Sequence, residues 1–530
     1  MREADSSSPL TIWLDRAILL WLFVLAAFAP HSIAVTQGAW LIGLLLWVIR
    51  LFVFPRPKTF RTPVDYALLG FFILTGISTI CSYEPMVSAG KLRAATLFTI
   101  VYLVAENIPS RKIVRLLAVT LVASCLINVG YTAVTRAIGR GVRVEGVRPD
   151  SPFSSSVLLA GGIMKRFSII DGDTLLEIDG QRIIGAEQVA TALQPSLTSK
   201  NALVTIYRGD VFPPLQVPRG RLLPGATAEE QLGITRVSTG RDWRATGFFG
   251  HYVTYAESLQ LIISLALGLF ICLPSKRSRA GAMLLIGIAG LVFALLLTVT
   301  RASWMGLLVS ATVMILVASS RRTILIAGAC VIPVLLAGVF LLQHYRHVGF
   351  FDQKDLSTTW RETVWREGFD LLISKPRHLA VGVGMDSIKA HWRQWGLFDN
   401  GRIPIGHMHS NLLQLALERG VPALLMWLFL LGVYARTLWR AYRRLSKPTI
   451  DDAETGDKGK QFFGWDPAGL DAWMDRGILL GALGGLAGFF VSGVVHYNWG
   501  DSEVIMIFYF IMGLSLVLAR ETNNTFRNDA

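Results

Sequence analysis

The stretch AMLLIGIAGLVFALLLTVTRASWMGLLVSATVMILV, residues 282–317, decides the fold. Two apolar runs, Ala282–Val299 and Met305–Val317, stand on either side of a single charge, Arg301. A helix needs roughly 20 apolar residues to cross a bilayer. Runs of that order recur elsewhere: Ala17–Ala29 with its flanks, Leu261–Leu273 and Ile324–Leu342. Over 530 residues the apolar fraction is 52% and the mean hydropathy is +0.48, too hydrophobic for an ordinary water-soluble chain. In hydrocarbon, backbone polar groups must be satisfied within the segment, and helices do that. The expected class is an all-α polytopic membrane protein.

The same reading gives about twelve spans, near 14–33, 38–54, 64–82, 90–107, 111–134, 249–273, 280–299, 302–319, 322–343, 421–440, 476–496 and 503–519. Four short basic loops fall on one side of this count: RLFVFPRPKTFR, PSKRSR, SSRRT and RAYRRLSK. Short cytoplasmic loops collect Lys and Arg, so that side is cytoplasmic, and both termini lie there. The formal charge of +14 is explained by these loops, and no nucleic-acid partner is expected. The polar N-terminus, MREADSSSPLTIWLDR, is followed by no convincing cleavage site, so the first apolar run is expected to be a retained helix. Cys81, Cys125, Cys272 and Cys330 lie in or beside apolar segments without CxxC spacing, which suggests neither a disulfide framework nor a zinc site.

Two long segments face outwards in this scheme. The first, 138–247, holds GVRVEGVRPDSP, DGDTLLEIDGQRI and ALVTIYRGD as short alternating strands, with a helical GAEQVATALQ between the last two. It resembles a bacterial PDZ domain at Gly172, Asp173, Ile178, Asp179 and Gly180. A PDZ domain takes a peptide as an added strand and caps its carboxylate with backbone N–H groups. The resemblance puts that groove at Gly141, Val142, Arg143 and Val144. The alternative is a rigid spacer without peptide binding. The second segment, from about 344 to 410, is polar and rich in Trp and Arg, and a polar stretch of that length usually carries function.

The positive-inside rule does not explain cations on the outer side. Arg301 sits in a minimal outer turn, Lys91 and Arg93 at the outer start of the fourth span, Arg244 just ahead of the sixth, and Arg361 and Arg366 in the second outer segment. Singly, each reads equally well as a snorkelling side chain. Jointly they suggest an anionic substrate, because the guanidinium fork pairs with phosphate oxygens. Glu257 lies inside the sixth span, where an ionisable group faces a cavity or a partner. It either pairs with one of the arginines or orients substrate. The stretch GHMHSNLLQLALERG, 406–420, sets His407 and His409 before a short helix that Ser410 or Asn411 can cap and that Gly420 and Pro422 end. The positive end of the helix dipole keeps His409 neutral, and a neutral imidazole can take a proton from a hydroxyl. Two polar loop histidines, or metal ligation by His407 and His409, are the other readings. The metal reading lacks a third ligand of suitable spacing.

RATGFFGHYVTYAESLQL, LLLTVTRASWMGLLVS, RETVWREGFDLLISKPRHLAVGVGMDS and HMHSNLLQLALERGVPALL resemble successive motifs of the O-antigen ligase and polymerase superfamily, bacterial inner-membrane glycosyltransferases of the GT-C type. The resemblance implies transfer of a glycan from a polyprenyl diphosphate carrier to an acceptor hydroxyl on a glycan, lipid or protein at the periplasmic face, without metal or cofactor. It puts the family histidine on His409 and the family arginines on Arg301, Arg244 and Arg361. Trp360, Trp365, Trp392 and Trp395 are sugar platforms or an interfacial belt. Competing readings are a flippase of lipid-linked glycan and a membrane-anchored PDZ scaffold. The expected division is 1–137 N-terminal spans, 138–247 PDZ-like insertion, 248–343 spans, 344–420 catalytic loop and 421–530 C-terminal spans.

Overall fold

A computed structural model of the chain describes residues 8–57, 59–160, 163–208, 213–241, 243–318, 356–446 and 469–528. The described residues form two compact units, one of 1–128 with 246–530 and one of Val129–Ala245.

The first unit is a helical bundle. Ten described helices are long and apolar enough to cross a membrane: Pro9–Phe28, Ile33–Phe52, Pro85–Asn107, Arg111–Ile138 (whose last residues, from Val129, fall in the second unit), Tyr252–Cys272, Arg279–Leu297, Arg301–Ala318, Val421–Leu445, Ala472–Val495 and Ser502–Thr522. The helix Asp65–Ile80 is apolar but has 16 residues, about 24 Å of rise against a hydrocarbon core of about 30 Å. The span expected at 322–343 lies outside the described residues. The first helix was expected to run to residue 33 but ends at Phe28, with Ser8 capping its start. Pro30 has no N–H to continue the ladder, and Ser32 caps the next helix by accepting from the Val35 N–H.

Polar content separates inner from outer helices. Tyr252–Cys272 carries Glu257, Gln260 and Ser264, all buried, and polar side chains in a span face the protein interior. The Gln260 amide donates to the Ser310 hydroxyl at 2.9 Å, tying this helix to Arg301–Ala318. Leu20, Leu45 and Ile286, on the outer helices, stay more than half exposed. Small residues set the closest helix contact. A Cβ on Gly268 would lie 2.3 Å from the Gly477 carbonyl oxygen, and one on Gly481 would lie 2.7 Å from the Leu265 Cα. Without a hydrophobic drive between helices in lipid, such close backbone approach supplies the dispersion that holds them. Near the start of the Gly469–Val495 helix, Arg115 grips the buried Asp475 through Nε at 2.7 Å and Nη2 at 2.8 Å.

The second unit carries an eight-stranded sheet in the order β3-β2-β7-β6-β4-β1-β8, with β5 paired to β4. The strands are β1 Val142–Glu145, β2 Val157–Ala160, β3 Ile163–Arg166, β4 Thr174–Ile178, β5 Gln181–Arg182, β6 Asn201–Tyr207, β7 Pro214–Pro218 and β8 Arg236–Thr239. Alternation in β6 puts Ala202, Val204 and Ile206 inward, where they pack with Phe153, Leu215, Val217 and Val189 of the helix Ala186–Ala192. The Asp-Gly turn read from sequence is present: Asp179 and Gly180 have φ of 50° and 77° between paired Ile178 and Gln181, the geometry of a tight hairpin. Asp173 is buried and holds Arg208, whose Nε donates to it at 2.6 Å. The segment expected to cap a peptide carboxylate, Gly141–Val144, is not a loop. Val142 and Arg143 pair with β4 on one edge and β8 on the other, and the Val144 N–H donates to the Asp173 carbonyl. Its backbone is used inside the sheet, so it offers no nest for a carboxylate.

Candidate active site around two histidines

Ser410 caps the helix Asn411–Arg419 by accepting from the Leu413 N–H, and Gly420, at φ 85°, closes it before Pro422 opens the next helix. This fixes the residues just ahead of the cap. His409 is held at φ 47°, a left-handed conformation that a bulky side chain adopts only when its surroundings impose it. Three contacts impose it. The His409 N–H donates to His407 Nδ1 at 3.2 Å, the Met408 N–H to Gln414 Oε1 at 2.6 Å, and the Trp365 indole to the Met408 carbonyl at 2.8 Å. Because His407 Nδ1 accepts, its proton sits on Nε2.

The imidazoles of His407 and His409 lie 4.1 Å apart, centroid to centroid, and Trp360 lies 4.5 Å from His409. Arg361 follows Trp360 on the helix Leu356–Ile373 and is close enough that its charge acts on His409. Burial, then His407, then Arg361 push the His409 pKa from 6.5 down to about 2. Burial and then the charges of His496 and Lys389 push His407 down to about 4. Both rings are neutral near neutral pH. The sequence argument assigned this to the helix dipole, whereas the main cause is desolvation.

Behind the histidines lies a polar brace that sequence reading missed. Asn411 Nδ2 donates to Asn498 Oδ1 at 2.5 Å, and the Trp499 N–H donates to Asn411 Oδ1 at 3.1 Å. Asn498 Nδ2 donates to Glu257 Oε2 at 2.6 Å, and the Ser492 hydroxyl to the same oxygen at 3.1 Å. His496 Nδ1 lies 2.8 Å from Glu257 Oε1. The partners shown for Glu257 are therefore side chains between Ser492 and Asn498, in place of the arginine pairing that was one expectation. The signal was VSGVVHYNWGDSE, 491–503, a polar knot between two apolar runs. The expected span 476–496 takes in its first half, and the rest falls between the last two spans.

Glu418 forms a second brace. It accepts from the Asp386 N–H at 2.9 Å and from the Tyr497 hydroxyl at 3.2 Å. The Tyr497 ring lies 5.6 Å from His407. Burial, and then the Glu418 charge, push the Tyr497 phenol upwards. Asp386 is bonded to Lys91 at 3.1 Å and to Lys389 at 2.8 Å. Arg419 belongs to the motif HMHSNLLQLALERGVPALL, without a role of its own in the sequence reading. It is buried over the Phe71 ring, 5.3 Å from its centroid.

The structure thus brings together His407, His409 and Arg361, with Glu257 behind them and Lys91, on the helix Pro85–Ala95, paired to the adjoining Asp386. Arg301 opens its helix after the short turn Thr298–Thr300, with Val299 at φ 52°. Gln260 pairs with Ser310, and a Cβ on Gly306 would lie 3.4 Å from Ser492 Cβ. That register sets Arg301 at the same end of the bundle as His496. Arg366 is exposed and lies about 140° round the helix from Arg361. Arg93 is exposed in the last turn of Pro85–Ala95. Arg244 belongs to the sheet-bearing unit. Among the tryptophans, Trp360 and Trp365 support the histidine turn, and Trp395 stacks on His391 with centroids 5.1 Å apart. Among the described residues, no three His, Cys, Asp or Glu side chains converge as a metal site.

Residues 286–428 match the O-antigen ligase family. The match takes in Arg301, Arg361, Arg366 and both histidines, and leaves out Glu257 and the knot at Ser492–Asp501. A search of curated proteins found no match. With ten candidate spans, the chain is a multi-pass membrane protein, and the match of residues 286–428 to the O-antigen ligase family supports a lipid-linked glycan ligase or polymerase role.

Proposed function

We propose that the protein is an inverting, metal-independent glycosyltransferase of the bacterial inner membrane. It moves a glycan from a polyprenyl diphosphate carrier to an acceptor hydroxyl at the periplasmic face. The observation that supports this best is a neutral, half-buried His409 beside Arg361 in a chain with the O-antigen ligase match.

The donor already carries a good leaving group. Arg301 and Arg361 hold the diphosphate and take up the charge that grows on it as the glycosidic C–O bond breaks. Lys91, Arg93 and Arg366 extend the positive field around the donor. His409 accepts the acceptor proton as the new C–O bond forms, and direct displacement inverts the anomeric carbon. Polyprenyl diphosphate leaves. A histidine with a pKa of about 2 is a weak base in the empty site. The incoming diphosphate offsets the Arg361 charge and raises that pKa, so the base becomes competent when the donor is bound. His407 holds the turn that aims His409. The sheet-bearing unit recruits an acceptor or protein partner and does no chemistry.

Deleting the protein and analysing carrier-linked and surface glycan tests this reading. Full-length polymer stranded on the carrier identifies a ligase. Single repeat units, transferred or stranded, identify a polymerase. A normal glycan profile removes the proposal.

A further inference from the structure

The helix Val421–Leu445 begins at the end of the histidine motif, and its far end reads RTLWRAYRRL, 436–445. Arg436, Arg440 and Arg444 recur every fourth residue and so form one stripe along the helix. All three are exposed. They line one cleft together with Pro63, Val433 and Ala519, which come from the segment before Asp65–Ile80, this helix and Ser502–Asn528. The cleft lies about 30 Å along the helix from Gly420, which is the thickness of a hydrocarbon core. It therefore sits at the membrane face opposite the histidines.

The bias of short loops towards Lys and Arg accounts for charge at this face. It does not account for three guanidiniums aligned in a cleft with no acid opposite them among the described residues. Arg436, Arg440 and Arg444 make no ion pair or hydrogen bond among the described residues. Several other arginines of the bundle are engaged. Arg50 binds Asp15, Arg111 binds Glu521, Arg115 binds Asp475, and Arg520 lies 4.1 Å from the Phe60 ring centroid. Arg443, on another flank of the same turn, covers Trp439. The acids near Pro63 are committed as well. Asp65 accepts from the Thr62 N–H and the Tyr102 hydroxyl, and Glu106 from the Phe60 N–H.

We infer that this cleft binds the phosphate headgroup of an anionic phospholipid. The arginine stripe grips phosphodiester oxygens through paired N–H donors. Val433 and Ala519 give the adjoining chain an apolar wall, and basic clefts between spans at the cytoplasmic face commonly serve such headgroups. The site is separate from the donor site, and the inference does not depend on the proposed chemistry.

The test uses the full-length protein in phosphatidylcholine nanodiscs, delipidated and titrated with phosphatidylglycerol or cardiolipin. Retained lipid is read by native mass spectrometry. Wild type should retain the anionic lipids in preference to phosphatidylcholine. Arg436→Gln/Arg440→Gln/Arg444→Gln should weaken that binding about a hundredfold, at roughly fivefold per arginine. Arg443→Gln should leave it unchanged, as should millimolar inorganic phosphate. Should the triple variant aggregate, Arg440→Gln alone decides, with a severalfold loss expected. Wild-type retention in these variants overturns the site. Full displacement by inorganic phosphate overturns the lipid assignment and makes the cleft a free-anion site.

Discussion

The helix Gly469–Val495 carries a buried polar assembly towards each end, and the two are built on different plans. Near its start, Asp475 meets Arg115 in a two-pronged ion pair, with Arg111 at 3.7 Å. Towards its other end, Ser492 and the following His496 and Asn498 close around Glu257 without a Lys or Arg in the set. The first assembly cancels charge and locks helices. The second surrounds a carboxylate with a hydroxyl, an amide and an imidazole, and so keeps a fixed frame while cations such as Arg361 face the histidines. Paired charge marks architecture, and cations gathered around neutral imidazoles mark a place for an anion. The comparison can be broken at either end.

The largest effect is expected at the histidines. His409→Ala should lower turnover by about a hundred- to ten-thousandfold, the usual loss for a general base, with donor binding and melting temperature nearly unchanged. Turnover and donor binding in detergent, with folding followed separately, check it. His407→Ala should be milder, since His407 acts through the backbone of His409. A normal rate in His409→Ala with a dead His407→Ala would reverse the two roles.

At the other end the loss should be of stability and leave chemistry alone. Arg115→Ala takes the two-pronged partner from the buried Asp475 and leaves Arg111 at 3.7 Å, and should cost about 3 kcal/mol, the low end for a broken buried pair. The fraction that folds should transfer glycan at the normal rate. Thermal unfolding and specific activity of the folded fraction measure the two separately. Reduced turnover per folded molecule would show that the two ends are coupled.

Legibility from sequence divides along the same line. The bundle was legible because apolar runs of span length have few other uses, and the described spans fall close to where those runs end. The histidine turn was legible because Ser410, Gly420 and Pro422 punctuate a short helix. The Asp179–Gly180 hairpin was legible because only a few residue pairs accept both positive φ values. The brace was not. Ser492 and Asn498 share one polar knot, but Asn411 and Glu257 are far from it in sequence, and nothing in the spacing announces that they meet. The Gly141–Val144 groove failed for a similar reason. A short strand with alternating polarity reads the same whether its edges are open or paired, and β8, which covers one edge, comes from residue 236 onwards.

A smaller effect is expected for the diphosphate grip. Arg301→Lys keeps the charge but loses the fork, so donor affinity and turnover should each fall by about tenfold. Donor binding and initial rates check it. Loss of turnover with unchanged donor affinity would move Arg301 from binding the donor to stabilising only the transition state.

The brace should give a comparable or milder loss with a distinct signature. Glu257→Gln keeps the shape but confronts the Asn498 amide with another donor, which costs about 1–3 kcal/mol for an unsatisfied buried group. Because Glu257 acts through Asn498 and Asn411 on the turn carrying His409, kcat should fall and donor KM should hold. A rise in KM with kcat unchanged would place Glu257 on the substrate itself.

The smallest effect is a flat profile. For free enzyme the His407 pKa is about 4 and that of His409 about 2, so kcat/KM, which reports the free enzyme, should stay level from pH 8 down to about 5. Protonation of an ordinary imidazole would already halve it at 6.5. In the donor complex the diphosphate favours the imidazolium, so the acid limb of kcat should lie at higher pH than that of kcat/KM. Stability follows with its own sign. A histidine whose folded pKa is depressed contributes in full above the unfolded value of 6.5, and its contribution is lost as pH falls towards the folded value. Melting temperature should therefore decline between about pH 6.5 and pH 4 while kcat/KM holds steady over the upper part of that window. Coincident acid limbs near pH 6.5 in both rate profiles would mean that the imidazoles are solvated in solution, and would remove burial as the reason that the histidine end is poised for an anion.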